Sequence, residues 1–161
     1  MSEVDAKFTG LKEFHAKMEQ IGRDVSGSTM GSAMSRATLL VTASARKNAP
    51  VDRGPLRASI VPEVVFREKT VTGIVGSNRE YAPMQELGTR PFWPPWKPLY
   101  EWALRVLRGD RKAAGGLAQG ARMAIAARGI KAKRFLQRAI EDNSERVKRI
   151  INQALQRIVR Q

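Results

Sequence analysis

The sequence reads as an α+β fold: a small antiparallel sheet packed by N-terminal helices, followed by a helical insertion and a long C-terminal helix. Apolar residues recur every three or four positions before residue 48 and again after residue 98, which is the helical period. Between about residues 56 and 76 they alternate instead, with β-branched residues prominent, as a half-buried strand pair requires. Pro50, Gly54, Pro55 and Gly88 punctuate the changes of period.

From Val4 to Arg23 the residues Phe8, Leu11, Phe14, Met18 and Ile21 fall on one helical face. His15 sits at the edge of that face with no second ligand or carboxylate nearby, so it reads as structural. The polar break from Ser26 to Gly31 offers Ser28 or Thr29 as a cap for a second helix over 31–48. Met34, Ala37, Leu40, Val41 and Ala45 form its stripe. Its many Ala and Ser side chains permit close approach to a sheet or another helix. Ala49 precedes a proline and is pushed out of the α region, so the helix ends at about Asn48.

Pro50 to Gly54 has turn chemistry, with Asp52 suited to accept backbone N–H groups and Gly54 free to take positive φ. The expected strands are Leu56 to Phe66 and Thr70 to Gly76, joined at Arg67-Glu68-Lys69, with Pro62 marking an edge or bulge. Two strands are marginal alone, so a third strand or a helix must cover them. Tyr81 to Leu87 supplies one or two helical turns stopped by Gly88. Glu86 reads as a cap or ion-pair partner, because no histidine, cysteine or second acid stands at a spacing that makes acid–base chemistry.

Arg90 to Pro98 holds four prolines and two tryptophans. It reads as an extended segment with three uses: a proline-rich ligand, a docking loop for a partner subunit, or a connector whose rings fold back on the core. A third helix follows from Pro98 to about Leu107 through Leu99, Trp102, Ala103 and Val106. Arg108 to Gly116 is expected to be a flexible basic link hinged at Gly115-Gly116, and its Arg-Gly-Asp triplet is three letters without context. An alanine-rich helix over Leu117 to Arg128 ends at Gly129. A last helix over Lys131 to Arg160 would be about 45 Å long, enough to reach another subunit, so that loss of residues 144–161 should impair assembly more than folding.

The chain has no cysteine, which excludes disulfides and thiolate chemistry. Neither a membrane-spanning run nor a secretory signal is evident, so the chain reads as a soluble protein with no membrane partner. No phosphate loop, metal cluster, nucleophile–base pair or matched carboxylates appear, so no enzymatic activity and no cofactor are expected. Charge is the strongest compositional signal: 29 Lys and Arg against 15 Asp and Glu, net +14. Residues 97–161 carry 16 basic and 5 acidic residues, so their field favours nucleic acid or an acidic protein surface.

Ala49-Pro-Val-Asp-Arg-Gly-Pro-Leu-Arg-Ala-Ser-Ile60, then Tyr81-Ala82 and Glu86-Leu87-Gly88-Thr89, resemble in order and spacing the tail-completion, or head-tail joining, family of long-tailed bacteriophages. Arg53 stands where that family usually has Thr. Lys133-Arg134-Phe135-Leu136 is similar to its later Pro-Phe-Leu element, with the proline lost. The resemblance implies a single joining domain over 1–161, with a core at about 31–90 and 131–161 and a helical insertion at about 92–130. It implies a non-enzymatic ring of six copies in the virion neck or proximal tail, assembled in the host cytoplasm. The partners would be further copies of the chain, a head-connector or head-completion protein, and a tail terminator or tail tube protein, with non-specific contact to DNA in the channel. The fold and interface residues would be Pro50, Val51, Asp52, Gly54, Leu56, Arg57, Tyr81, Glu86, Gly88 and Thr89. Phe92, Trp93 and Trp96 are the partner-contact candidates. Arg108, Arg111, Lys112, Lys131, Lys133 and Arg134 are the candidates to face DNA. The alternative is a free, non-enzymatic nucleic-acid-binding protein, although no reading helix, zinc finger or RNA-binding signature is present.

Overall fold

A computed structural model describes residue 19, residues 27–68 and residues 70–160. The first expected helix, with His15, lies outside the described residues apart from Glu19. Among the described residues the order is α1 (Ser28–Asn48), α2 (Pro55–Ser59), β1 (Ile60–Arg67), β2 (Thr70–Ser77), α3 (Ala82–Leu87), α4 (Trp96–Val106), α5 (Arg111–Arg128) and α6 (Phe135–Arg160). The two strands form one sheet, and so short a link between them makes it antiparallel. The expected α+β class is thereby shown.

The chain folds into two compact units. One gathers α1 up to Leu40, Pro62–Val75 and α6 from Asn143 onward; the other gathers Val41–Val61 and Gly76–Asp142. In the first, Met30 and Ala33 of α1 pack with Ala154 and Ile158 of α6, flanked by Val71, Ile150 and Ile151. The expected cover for the two strands is supplied by a helix, α1. A Cβ on Gly31 would stand 2.6 Å from the Phe66 ring, and one on Gly73 would stand 2.5 Å from Thr38 Cγ2, so small residues permit the close approach read from the sequence. β2 alternates exposed and half-buried from Thr70 to Val75, the period of a strand with one covered face.

In the second unit α4 and α5 form a helical hairpin around Ala103, Ala114 and Ala118, with Leu99, Trp102, Leu104 and Leu117 packed alongside. Arg108 and Gly109 take positive φ, the Gly109 N–H donates to Leu104 O at 2.7 Å, and Asp110 caps α5 by accepting the Ala113 N–H at 3.0 Å. The expected flexible link is therefore a tight turn. Gly115 and Gly116 lie inside α5 and form no hinge. Burial of Ala114 and Ala118 against α4 offsets the cost of glycine in a helix.

Other boundaries also move. The expected strand from Leu56 begins only at Ile60, because Gly54 at φ 90 and Pro55 at the first helical position start a short helix in which the Ala58 N–H donates to Gly54 O. Ser28 and Thr29 occupy the first turn of α1 and do not precede it. Trp96 opens α4, with Pro98 in its first turn, where a missing N–H costs nothing. Lys131 to Arg134 stay outside α6, whose 26 residues span about 39 Å. Ala154 and Ile158, each 2% exposed, pack inside the chain, so the last turns of α6 belong to the core rather than forming a free arm.

Candidate functional site

Two sequence motifs meet two parts of the second unit that sequence spacing did not connect. The Asp52 carboxylate accepts from Arg105 of α4, Nη2 to Oδ2 at 2.6 Å and Nε to Oδ1 at 3.3 Å, where a backbone-capping role was expected. The signature turn is thereby tied to the hairpin. Leu56 is buried, Arg57 is exposed, and the Ser59 and Ser77 hydroxyls lie 2.7 Å apart. The Arg46 guanidinium donates to Ile60 O at 2.7 and 3.0 Å and holds the start of β1 against the end of α1.

The Glu-Leu-Gly-Thr segment clamps the approach to α6. Glu86 accepts the backbone N–H groups of Leu136 at 2.9 Å and Gln137 at 3.0 Å, two of the donors that a helix start leaves without partners. Thr89 and Ile130 form a reciprocal pair: the Thr89 N–H donates to Ile130 O at 3.0 Å, and the Ile130 N–H donates to Thr89 Oγ1 at 2.9 Å. Gly88 at φ 75 and Gly129 at φ 74 let these backbones touch, since a Cβ on either would strike the opposing main chain. Tyr81 precedes α3, accepts the Gln85 N–H through its carbonyl and is 39% exposed.

Beside the turn lies a groove of about 610 Å³. Val51, Leu56, Tyr81, Leu99, Trp102 and Ile125 contribute its apolar lining, and Lys131 and Lys133 add cationic side chains. A recess of that size falls in the range of about 300–1,000 Å³ that buries most of an occupant's surface.

The aromatic segment is anchored to α5, but its rings do not fold back on the core as a pure connector's would. Pro94 is buried and its carbonyl accepts from Arg122 Nε at 3.1 Å, as in a connector. Phe92, Trp93 and Trp96 nevertheless remain exposed. The Arg122 guanidinium lies 4.6 Å from the Trp93 ring centre, and Trp96 stacks on Tyr100 at 5.8 Å. Both indoles are thus held in place while facing solvent.

The six cations expected to face DNA are all exposed, but they form two groups. Arg108, Arg111 and Lys112 surround the start of α5, while Lys131, Lys133 and Arg134 follow its end, about 27 Å away along an 18-residue helix. Arg134, at φ 51, also receives the Arg138 N–H on its carbonyl as α6 begins. The roles of Arg46, Arg105 and Arg122 escaped the sequence reading, since each depends on a residue 14 to 53 positions away.

Among the described residues no three His, Cys, Asp or Glu side chains gather as a metal site, and no helix is long and apolar enough to cross a membrane. In the first unit the Lys148 ammonium donates to Glu145 at 2.7 Å and, by that bond and its charge, holds this fully exposed carboxyl below its ordinary range. Residues 12–88 match the model of a family described as Bacteriophage HK97-gp10, putative tail-component. No curated protein and no solved structure matches the chain.

Proposed function

From the premise that residues 12–88 belong to this phage tail-component family, we propose that the chain is a non-enzymatic ring protein of the virion neck, six copies joining the head connector to the tail around the DNA channel. The family match carries the reading. A tail component is a virion protein, and the motif residues of this one are used to fasten parts of the chain to each other: Glu86, Gly88 and Thr89 hold the backbone at the entry to α6, and Asp52 pairs with the Arg105 side chain of α4. That use leaves the exposed aromatic segment and the two cationic groups for contacts with neighbouring proteins and phosphates.

Size-exclusion chromatography with light scattering, followed by negative-stain imaging, tests the reading. The expected result is a closed ring, either alone or on mixing with the neck and tail proteins of the same virion. Neither ring nor binding to any of them overturns it. DNA affinity that stays submicromolar near physiological salt favours the free nucleic-acid-binding protein instead, because non-specific phosphate contacts weaken steeply with salt.

A further inference from the structure

The described helices of the first unit carry almost no negative charge. α1 up to Leu40 contributes Arg36 and no acid, and α6 from Asn143 onward carries five basic residues against Glu145 alone. That acid is engaged by Lys148 at 2.7 Å. At about 100° per residue, Arg149, Gln153, Gln156, Arg157 and Arg160 fall within an arc of about 100°, and all five are exposed. Ala154 and Ile158, which pack inward, lie outside that arc. The five form a polar ridge about 16 Å long.

At Arg157 the ridge borders a cleft of about 230 Å³ between α6 and α1. Ser28, Thr29, Ser32 and Arg36 line one side, Ala154 and Arg157 the other, and no carboxylate enters the lining. Such a set suits phosphate, because the planar fork of a guanidinium matches its oxygens and hydroxyls supply further donors. The ridge has no apolar anchor of the kind on which a protein-docking face is centred, whereas its Arg and Gln side chains all donate to phosphate oxygens. Duplex DNA presents a negative charge about every 1.7 Å along its axis, so several phosphates fit against a ridge of this length. We propose that the α6 ridge, with Arg36 across the cleft, holds the phosphate backbone of double-stranded DNA. This surface adds to the cations at the two ends of α5, and it acts in a ring and in a single copy alike, so it goes beyond the ring reading.

Fluorescence anisotropy of the full chain with a mixed-sequence duplex, between about 50 and 200 mM salt, tests the assignment. Arg149→Gln, Arg157→Gln and Arg160→Gln together should weaken binding roughly tenfold or more at the lower salt, and should flatten the slope of log K against log salt by roughly 0.9 for each phosphate no longer neutralised. The control removes the same charge from three exposed arginines of the second unit through Arg53→Gln, Arg79→Gln and Arg90→Gln, and should leave the slope nearly unchanged. A ridge variant with the natural slope, or a control that flattens it equally, overturns the proposal. So does a natural chain that binds polyglutamate and no DNA, which gives the ridge to an acidic protein. Circular dichroism checks that each variant is folded. Where the ridge variant does not fold, phenylglyoxal labelling of the natural chain decides: duplex DNA should shield Arg36, Arg149, Arg157 and Arg160 and leave Arg53 and Arg79 reactive, and equal labelling with and without DNA overturns the assignment. Light scattering on the same samples keeps the two readings apart. Rings whose DNA binding ignores the ridge variant overturn the DNA surface alone, whereas monomers whose slope falls uphold it without the ring.

Discussion

Glu86 Oε2 accepts the backbone N–H of Leu136 at 2.9 Å, so a carboxylate 50 residues upstream caps the long C-terminal helix. Its second oxygen takes the N–H of Gln137. The cap joins two recognisable pieces of sequence, Glu-Leu-Gly-Thr and Lys-Arg-Phe-Leu, into one device. Negative charge at a helix start also opposes the positive end of the helix dipole. Replacing Glu86 with Ala should cost about 1–2 kcal/mol, as loss of a helix cap does. Urea unfolding measures this, and a loss within about 0.3 kcal/mol of zero would contradict the capping role.

Gly129 and the glycines of α5 should respond in opposite directions. Gly129→Ala combines a strained positive φ with a collision against Thr89 and Arg90, so it should destabilise by more than about 1 kcal/mol. A Cβ at Gly116 or Gly120 meets nothing within 4 Å among the described residues, so alanine at either should stabilise by about 0.5–1 kcal/mol. Thermal melts of the three variants check the contrast. Destabilisation by Gly116→Ala would return the hinge reading to that position.

Thr42 is 3% exposed and its hydroxyl has no hydrogen-bond partner among the described residues. Thr42→Val keeps the shape and removes the stranded polar atom, so stability should rise by about 1 kcal/mol. Denaturant titration of the full chain decides the sign.

Ile158 lies in the cluster with Met30, Ala33 and Ala154. Ile158→Ala should cost about 2–4 kcal/mol through reduced burial and a residual cavity. Removing residues 144–161 should accordingly impair folding at least as much as assembly. A truncated chain with an unchanged melting temperature would restore the free-arm reading of α6.

The two cationic groups should contribute separately to any DNA binding. Neutralising Arg108, Arg111 and Lys112 together, or Lys131 and Lys133 together, should reduce the slope of log K against log salt by roughly 0.9 for each phosphate no longer neutralised. Fluorescence anisotropy with duplex DNA at several salt concentrations reads both slopes. If only one group alters the slope, that end of α5 faces the phosphates.

Element types were legible because they are local. Met34, Ala37 and Val41 announce a helical face, and Val71 and Val75 announce a covered strand face, from spacing alone. Boundaries were less so. Leu56 has strand-like neighbours, yet Gly54 and Pro55 before it make a helical turn cheaper than extension. Gly115-Gly116 looks like a hinge in one dimension, and only the burial of Ala114 and Ala118 against α4 keeps it helical. In the candidate site, the motif residues were found by pattern, while their partners Arg105, Leu136 and Ile130 were not.

The order of residues was sufficient to establish an α+β chain of high positive charge, without cysteine, carrying the marks of a phage tail-component family. These properties follow from composition, short-range periodicity and turn chemistry, which involve neighbours in sequence. The pairing of Asp52 with Arg105, the capping of α6 by Glu86, the separation of the cations into two groups and the groove beside Val51 required the folded chain. Each depends on which distant backbone or side chain arrives at contact distance, and hydrogen bonds and burial act over a few ångströms of space, whatever the separation along the sequence.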